Sequence, residues 1–106
     1  MNLEDARNQM LRQQIRAWEV LDERVLDVLG AVPRETFVPA AYHDVAFADL
    51  EIPIGHGQCM MAPKIEGRLL QSLQLEVGDR VLEVGTGTGF LTACLCLLYT
   101  SDAADE

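Results

Sequence analysis

Residues Val81-Leu82-Glu83-Val84 run directly into Gly85-Thr86-Gly87-Thr88-Gly89, an apolar stretch with one acid followed by glycines at alternate positions. Glycine is the residue that admits positive φ and close approach of the backbone to a ligand, so this spacing imposes a turn that no regular helix or strand tolerates. A strand that ends in such a turn and opens a helix leaves backbone N–H groups unobstructed beside the helix N-terminus, where the dipole favours negative charge. The pattern is that of a small-molecule site. A dinucleotide fingerprint, G-x-G-x-x-G, would need glycine at position 90; Phe90 stands there and the third glycine comes one residue early, at Gly89. A phosphate-binding P-loop is excluded because no Gly-Lys-Ser/Thr follows.

Upstream of this turn the chain reads as helical. Leu3, Ala6, Met10, Ile15 and Trp18 recur at near-helical spacing behind Asn2, a capping residue, and three arginines are expected off that stripe, which predicts an amphipathic helix over 3–17. Asp22 is suited to cap a second helix whose apolar face is Val25, Leu26, Val28, Leu29 and Val32, stopped by Pro33. From Pro33 to Pro63, prolines and glycines punctuate the chain; turns are expected, with one short helical turn near Ala40 to His43 and extended backbone around Leu50 to Ile54. Pro63 suits the first turn of a helix running to about Leu73, with Ile65, Leu69, Leu70 and Leu73 expected on its buried side. Gly78-Asp79 then turns the chain into a strand over Arg80 to Val84, apolar enough to be covered on both faces of a parallel sheet, although no partner strand is evident. The organisation expected is a helical cap with a substrate-loop region over 1–62 and the beginning of an α/β domain over 63–95.

Net charge is −9 with only eight basic residues, none clustered, so phosphate backbones and anionic lipid would be repelled, and neither nucleic acid nor membrane is expected as a partner. The N-terminus lacks the pattern of a secretory leader, and the longest apolar run, Phe90 to Tyr99, is too short to span a bilayer; a cytoplasmic location is expected. Cys59, Cys94 and Cys96 show neither disulfide nor metal-ligand spacing and read as reduced thiols, with no metal site expected. The segment 96–106 interrupts the pattern of the helix opened at Phe90 and resembles the conceptual translation of a transposase-end sequencing adapter, which would make residue 95 the last genuine one.

The pattern E-x-G-x-G-x-G followed by Phe-Leu-Thr-Ala resembles motif I of the Rossmann-like S-adenosylmethionine-dependent methyltransferases. Three further segments sharpen the likeness: Ala31-Val32-Pro33-Arg34-Glu35-Thr36-Phe37-Val38-Pro39, then Ile52-Pro53-Ile54-Gly55-His56-Gly57-Gln58, then Pro63 opening a helix into motif I. In that order they resemble the protein-L-isoaspartate O-methyltransferase family over nearly all of residues 3 to 95. The resemblance implies an α/β, Rossmann-like domain preceded by a helical cap and truncated here after its first strand and the start of the following helix, since such domains run to roughly 200 residues or more. It implies methylation of the α-carboxyl of L-isoaspartyl residues, and of D-aspartyl β-carboxyls, in damaged proteins or peptides, with S-adenosyl-L-methionine as cofactor. Glu83, Gly85, Gly87 and Gly89, with Gln58, Cys59 and Met60, would form the cofactor site, and Thr86 and Thr88 are candidate hydroxyl donors. An acceptor carboxylate with a pKa near ~4 is already ionised at neutral pH and needs no general base.

The chain departs from the family at one place. Cys59-Met60-Met61 follows Gln58 where the family has Thr-Ile-Ser, so Met61 occupies the position of the active-site serine without its hydroxyl. Two other readings follow: a methyltransferase-like protein with a different acceptor or with cofactor binding only, and a non-enzymatic helical interaction module. His56 is a candidate acceptor contact on its loop. The acidic residue expected to hold the cofactor ribose, about 20 residues beyond the turn, lies outside the chain.

Overall fold

The computed structural model describes residues 2–83, 85 and 87–100. The chain begins with helix α1 (Leu3–Gln9), capped by Asn2, whose side-chain oxygen accepts from the Asp5 amide at 2.8 Å. The helical path continues through a π-helical stretch, Met10–Ile15, and a 3₁₀ turn, Arg16–Trp18, before Glu19 closes it at φ 69. Met10 and Ile15 stand five residues apart, too far to share a face of an α-helix with 3.6 residues per turn, but matched to the i→i+5 bonding of a π-helix. Both are buried as a result, while Leu3 and Trp18, expected on the same stripe, are exposed. Arg7, expected off the stripe, is buried instead: it donates to Glu4 at 2.6 Å and Glu35 at 2.7 Å and lies over the Phe47 ring.

Helix α2 (Glu23–Ala31) starts where expected, with the Asp22 carboxylate accepting from the Arg24 amide, and ends before Pro33. The predicted turn near Ala40 is a kinked 3₁₀ segment, Ala40–Val45. Strands β1 (Ile52–Gly55) and β2 (Gln58–Met60) form an antiparallel hairpin that pairs Ile52 with Met60 and Gly55 with Gln58, with an irregularity between Pro53 and Gly55. His56 and Gly57 make the two-residue connection at φ 55 and 71, the positive-φ pair that a tight type I′ hairpin turn requires.

Helix α3 (Pro63–Leu73) has the predicted limits and proline at its start, but its buried face is rotated from expectation. Pro63, Glu66, Gly67 and Leu70 are buried; Ile65, Leu69 and Leu73 are exposed. The cause is Gly67, where an added Cβ would lie 2.9 Å from Ile15 Cγ2 and 3.2 Å from Val20 Cγ2: the helix approaches its neighbours along its smallest residue.

The expected strand over Arg80 to Val84 is absent from the described residues 80–83, and Val84 lies outside them. A strand is defined by main-chain pairing, and the only sheet among the described residues is the β1–β2 hairpin. Leu82 is 88% exposed. Helix α4 (Phe90–Thr100) follows the glycine turn without the break anticipated at residue 96. Its residues Phe90, Cys94, Leu95 and Leu98 share a buried stripe, so the apolar segment 95–98 continues the helix because its spacing suits the core. Residues 101–106 lie outside the described part. The helices converge on a core of Met10, Ile15, Val20, Val25, Leu29, Ile52, Leu70 and the α4 stripe. No helix of the described residues is long and apolar enough to cross a membrane.

Candidate functional site

The exit of the hairpin, the buried face of α3 and the glycine turn meet around a small cavity of about 80 Å³. Ile54, Cys59, Met60 and Met61 line it from the hairpin, Glu66 from α3, and Glu83, Gly85, Gly87, Thr88 and Leu91 from the turn and α4. Residues more than twenty positions apart in sequence are thereby brought together. Among the residues expected at the site, Met61, Cys59, Met60, Glu83, Gly85 and Gly87 share this wall. Gln58 is exposed and pairs across the hairpin with Gly55, and Gly89 lies beyond the cavity, at φ 90, where its carbonyl accepts from the Ala93 amide in the first turn of α4. His56 is exposed at the hairpin tip, its positive φ meeting the demand of the turn. Thr86 lies outside the described residues.

Gly85 and Gly87 adopt φ 74 and 59, so the alternate-glycine spacing does produce an irregular turn that side chains do not fill. Thr88 accepts from the Phe90 amide at 3.3 Å and so helps to begin α4; its hydroxyl also faces the Met60 sulfur at 3.9 Å. Glu83 accepts from the Thr92 hydroxyl, which ties the end of the turn's approach segment to α4.

Behind the cavity lies a buried ion pair between Arg34 and Glu66. The guanidinium also donates from Nε to the Ala46 carbonyl at 2.7 Å and from Nη2 to the Met61 carbonyl at 3.1 Å, and it stacks 4.9 Å from the centre of the Phe90 ring. Burial pushes the Glu66 carboxyl up from its ordinary range to about 7, and the adjacent Arg34 only partly offsets that rise. Burial likewise raises the Cys94 thiol to about 12, with the neighbouring Glu66 carboxylate adding to the effect, so Cys94 is an inert core thiol.

The Glu83 carboxylate, thioether sulfurs and apolar carbons around a glycine-rich turn suit a ligand with cationic character. Glu83 supplies negative charge, Met60, Ile54 and Leu91 supply apolar contact, and Arg34 and Glu66 are committed to each other and to protein partners. Sequence reasoning missed both members of the buried pair. A signal was present: Pro63, Glu66, Gly67 and Leu70 fall at helical i, i+3, i+4 and i+7 spacing, so a carboxylate on that face has to find a cation. That the cation is Arg34, more than thirty residues away, follows only from the fold.

Comparison with known proteins gives a consistent result. The family model of protein-L-isoaspartate(D-aspartate) O-methyltransferase matches residues 5–104. A protein-L-isoaspartate O-methyltransferase of Aeropyrum pernix is 44% identical over 96 residues, covering 91% of this chain and 37% of that protein. One from Koribacter versatilis is 46% identical over 89 residues, covering 84% of this chain and 40% of the relative. Protein-L-isoaspartate O-methyltransferase 2 of an Anaeromyxobacter species is 42% identical over 95 residues, with coverages of 90% and 39%. The chain thus spans about two fifths of the length of the curated relatives it matches.

Proposed function

Because the chain belongs to the protein-L-isoaspartate(D-aspartate) O-methyltransferase family, we propose that it forms part of an enzyme that methylates the α-carboxyl group of L-isoaspartyl residues, and the β-carboxyl of D-aspartyl residues, in damaged proteins. Methyltransferases of this family use S-adenosylmethionine as methyl donor. The observation that carries the reading is the convergence of the hairpin exit 59–61 and the glycine turn 85–88 on one cavity, from opposite ends of the sequence.

The residues present fit one end of such a cofactor. In our reading Gly85 and Gly87 offer main-chain surface without side chains, Glu83 faces the cationic methionine end, and Met60 with Leu91 gives the apolar wall; Gly89 fixes the start of α4 beneath them, and Gln58 holds the hairpin end that carries Cys59. When bound, the cofactor supplies an electrophilic methyl group on a sulfonium. An isoaspartyl carboxylate is already ionised at neutral pH, so the protein need not remove a proton, and its contribution is placement of the acceptor and exclusion of water. The cavity is too small to hold a whole nucleoside cofactor, so the remaining contacts belong to the part of the enzyme that the relatives possess beyond this length. The reaction is proposed for the cytoplasm, and the net charge of −9 speaks against nucleic acid or an anionic membrane surface as partner.

Met61 supports a second reading, in which cofactor binding is kept but the acceptor differs. Its side chain lines the cavity at the position of the family's serine and offers no hydroxyl to an acceptor. Full-length protein, assayed with an isoaspartyl peptide and its aspartyl twin, separates the two. Methylation of the isoaspartyl peptide alone is expected; failure with both, in protein that binds S-adenosylhomocysteine, would sink the repair reading in favour of the second.

A further inference from the structure

Arg34 is 1% exposed, and each nitrogen of its guanidinium has a partner: Nε the Ala46 carbonyl, Nη1 the Glu66 carboxylate and Nη2 the Met61 carbonyl. Its Cζ lies over the ring of Phe90. These four partners come from four separate stretches of chain: the residue after the Ala40–Val45 turn, the residue after β2, the buried face of α3, and the first residue of α4. Two of them hold opposite sides of the cavity. Met61 carries the hairpin side, and Phe90 directly follows the glycine turn and also makes an edge-to-face contact with Phe37.

A rigid planar fork can satisfy several fixed acceptors and stack on a ring at once, which a lysine ammonium on a flexible stem cannot do. The Arg34 bond reaches the main chain of Met61, so the arginine fixes where that residue sits whatever its side chain. We propose that Arg34 is a positioning residue that sets the spacing between the two sides of the cavity, through the Met61 carbonyl and the Phe90 ring, with Glu66 orienting the guanidinium. That the hairpin side meets the acceptor and the glycine turn the cofactor rests on the functional reading above; the mechanical role of Arg34 does not.

The test uses full-length protein carrying R34K, E66Q, E66L or, as a control, R24K. Arg24 also bridges distant main-chain carbonyls, those of Leu75 and Leu98, but lies away from the cavity wall. Amide exchange is followed across the chain, and methylation kinetics are measured beside it. R34K and E66L are expected to speed exchange in 59–62 and 90–93 about tenfold or more while α2 keeps its protection, and to lower kcat more than they raise the KM for cofactor. E66Q, which keeps an oxygen for Nη1, should stay within about threefold of wild type in the exchange of both segments, and R24K should leave 59–62 unchanged. The proposal is overturned if R34K leaves both segments at wild-type exchange, if it loosens all helices alike, or if E66Q and E66L are indistinguishable. Wild-type protein inactive on isoaspartyl peptides would sink the functional reading alone, because the exchange pattern still decides the role of Arg34.

Discussion

Glu66 is 2% exposed, and although Arg34 pairs with it, burial raises its carboxyl from 4.5 to about 7. Since the folded-state pKa lies above the unfolded one, the folded protein binds more protons than the unfolded chain between those values. The stability that this group contributes is therefore complete below the unfolded pKa and is lost as pH rises through about 7. We expect the difference in urea midpoint between wild type and E66Q to change across pH 4.5 to 7.5, by the equivalent of about 3 kcal/mol at most, with wild type losing ground as pH rises. A midpoint difference that is flat over that range would show that the pair keeps Glu66 ionised throughout. Met61 supports the second prediction at this scale. Restoring the hydroxyl with M61S in full-length protein should raise kcat/KM for an isoaspartyl peptide about tenfold, the worth of one hydrogen bond made in the transition state. No gain would mean that the acceptor does not approach position 61.

Among the elements, α3 shows how one small residue turns a helix. Hydrophobic periodicity alone puts Ile65, Leu69 and Leu73 inside, but the position at which the helix admits its neighbours' side chains is Gly67, with Ile15 and Val20 against it. Alanine there gains up to about 1 kcal/mol in helix propensity, yet it forces side chains apart in a packed core, which typically costs 1 to 3 kcal/mol. G67A should therefore lower stability by about 1 kcal/mol in chemical denaturation; an unchanged or higher midpoint would mean that α3 can shift away from Ile15. The hairpin makes a similar point through the backbone. His56 holds φ 55 in the turn, so H56G should be nearly neutral while H56V, β-branched at positive φ, should cost about 1 to 2 kcal/mol by the same measurement.

In the molecule as a whole, the segment leading into the glycine turn meets the core through Val81 and is tied to α4 by Glu83, but it joins no sheet among the described residues. Among the described residues from Arg80 to Glu83 no strand forms, and Leu82 is 88% exposed. Hydrogen exchange on the 106-residue chain should accordingly find protection in α2 and α4 and near-coil rates over 80–83; protection there would mean that the strand has found a partner. Much was legible beforehand because it is set by local chemistry. The caps at Asn2 and Asp22, the proline start of α3, the stop before Pro33 and the irregular glycine turn all depend on the preferences of a few neighbouring residues. The ordered motifs also pointed to the family, and the cavity gathers most of the residues they singled out. What depended on distance along the chain was not legible. The π-helical turn that buries Met10 with Ile15, the face that α3 presents, the pairing of Arg34 with Glu66 and the fate of the strand at 80–83 are each decided by which surface lies opposite. A residue's own conformational preference is written in its neighbours, but burial, charge pairing and strand formation are properties of two segments in contact, and only the tertiary structure brings those segments together.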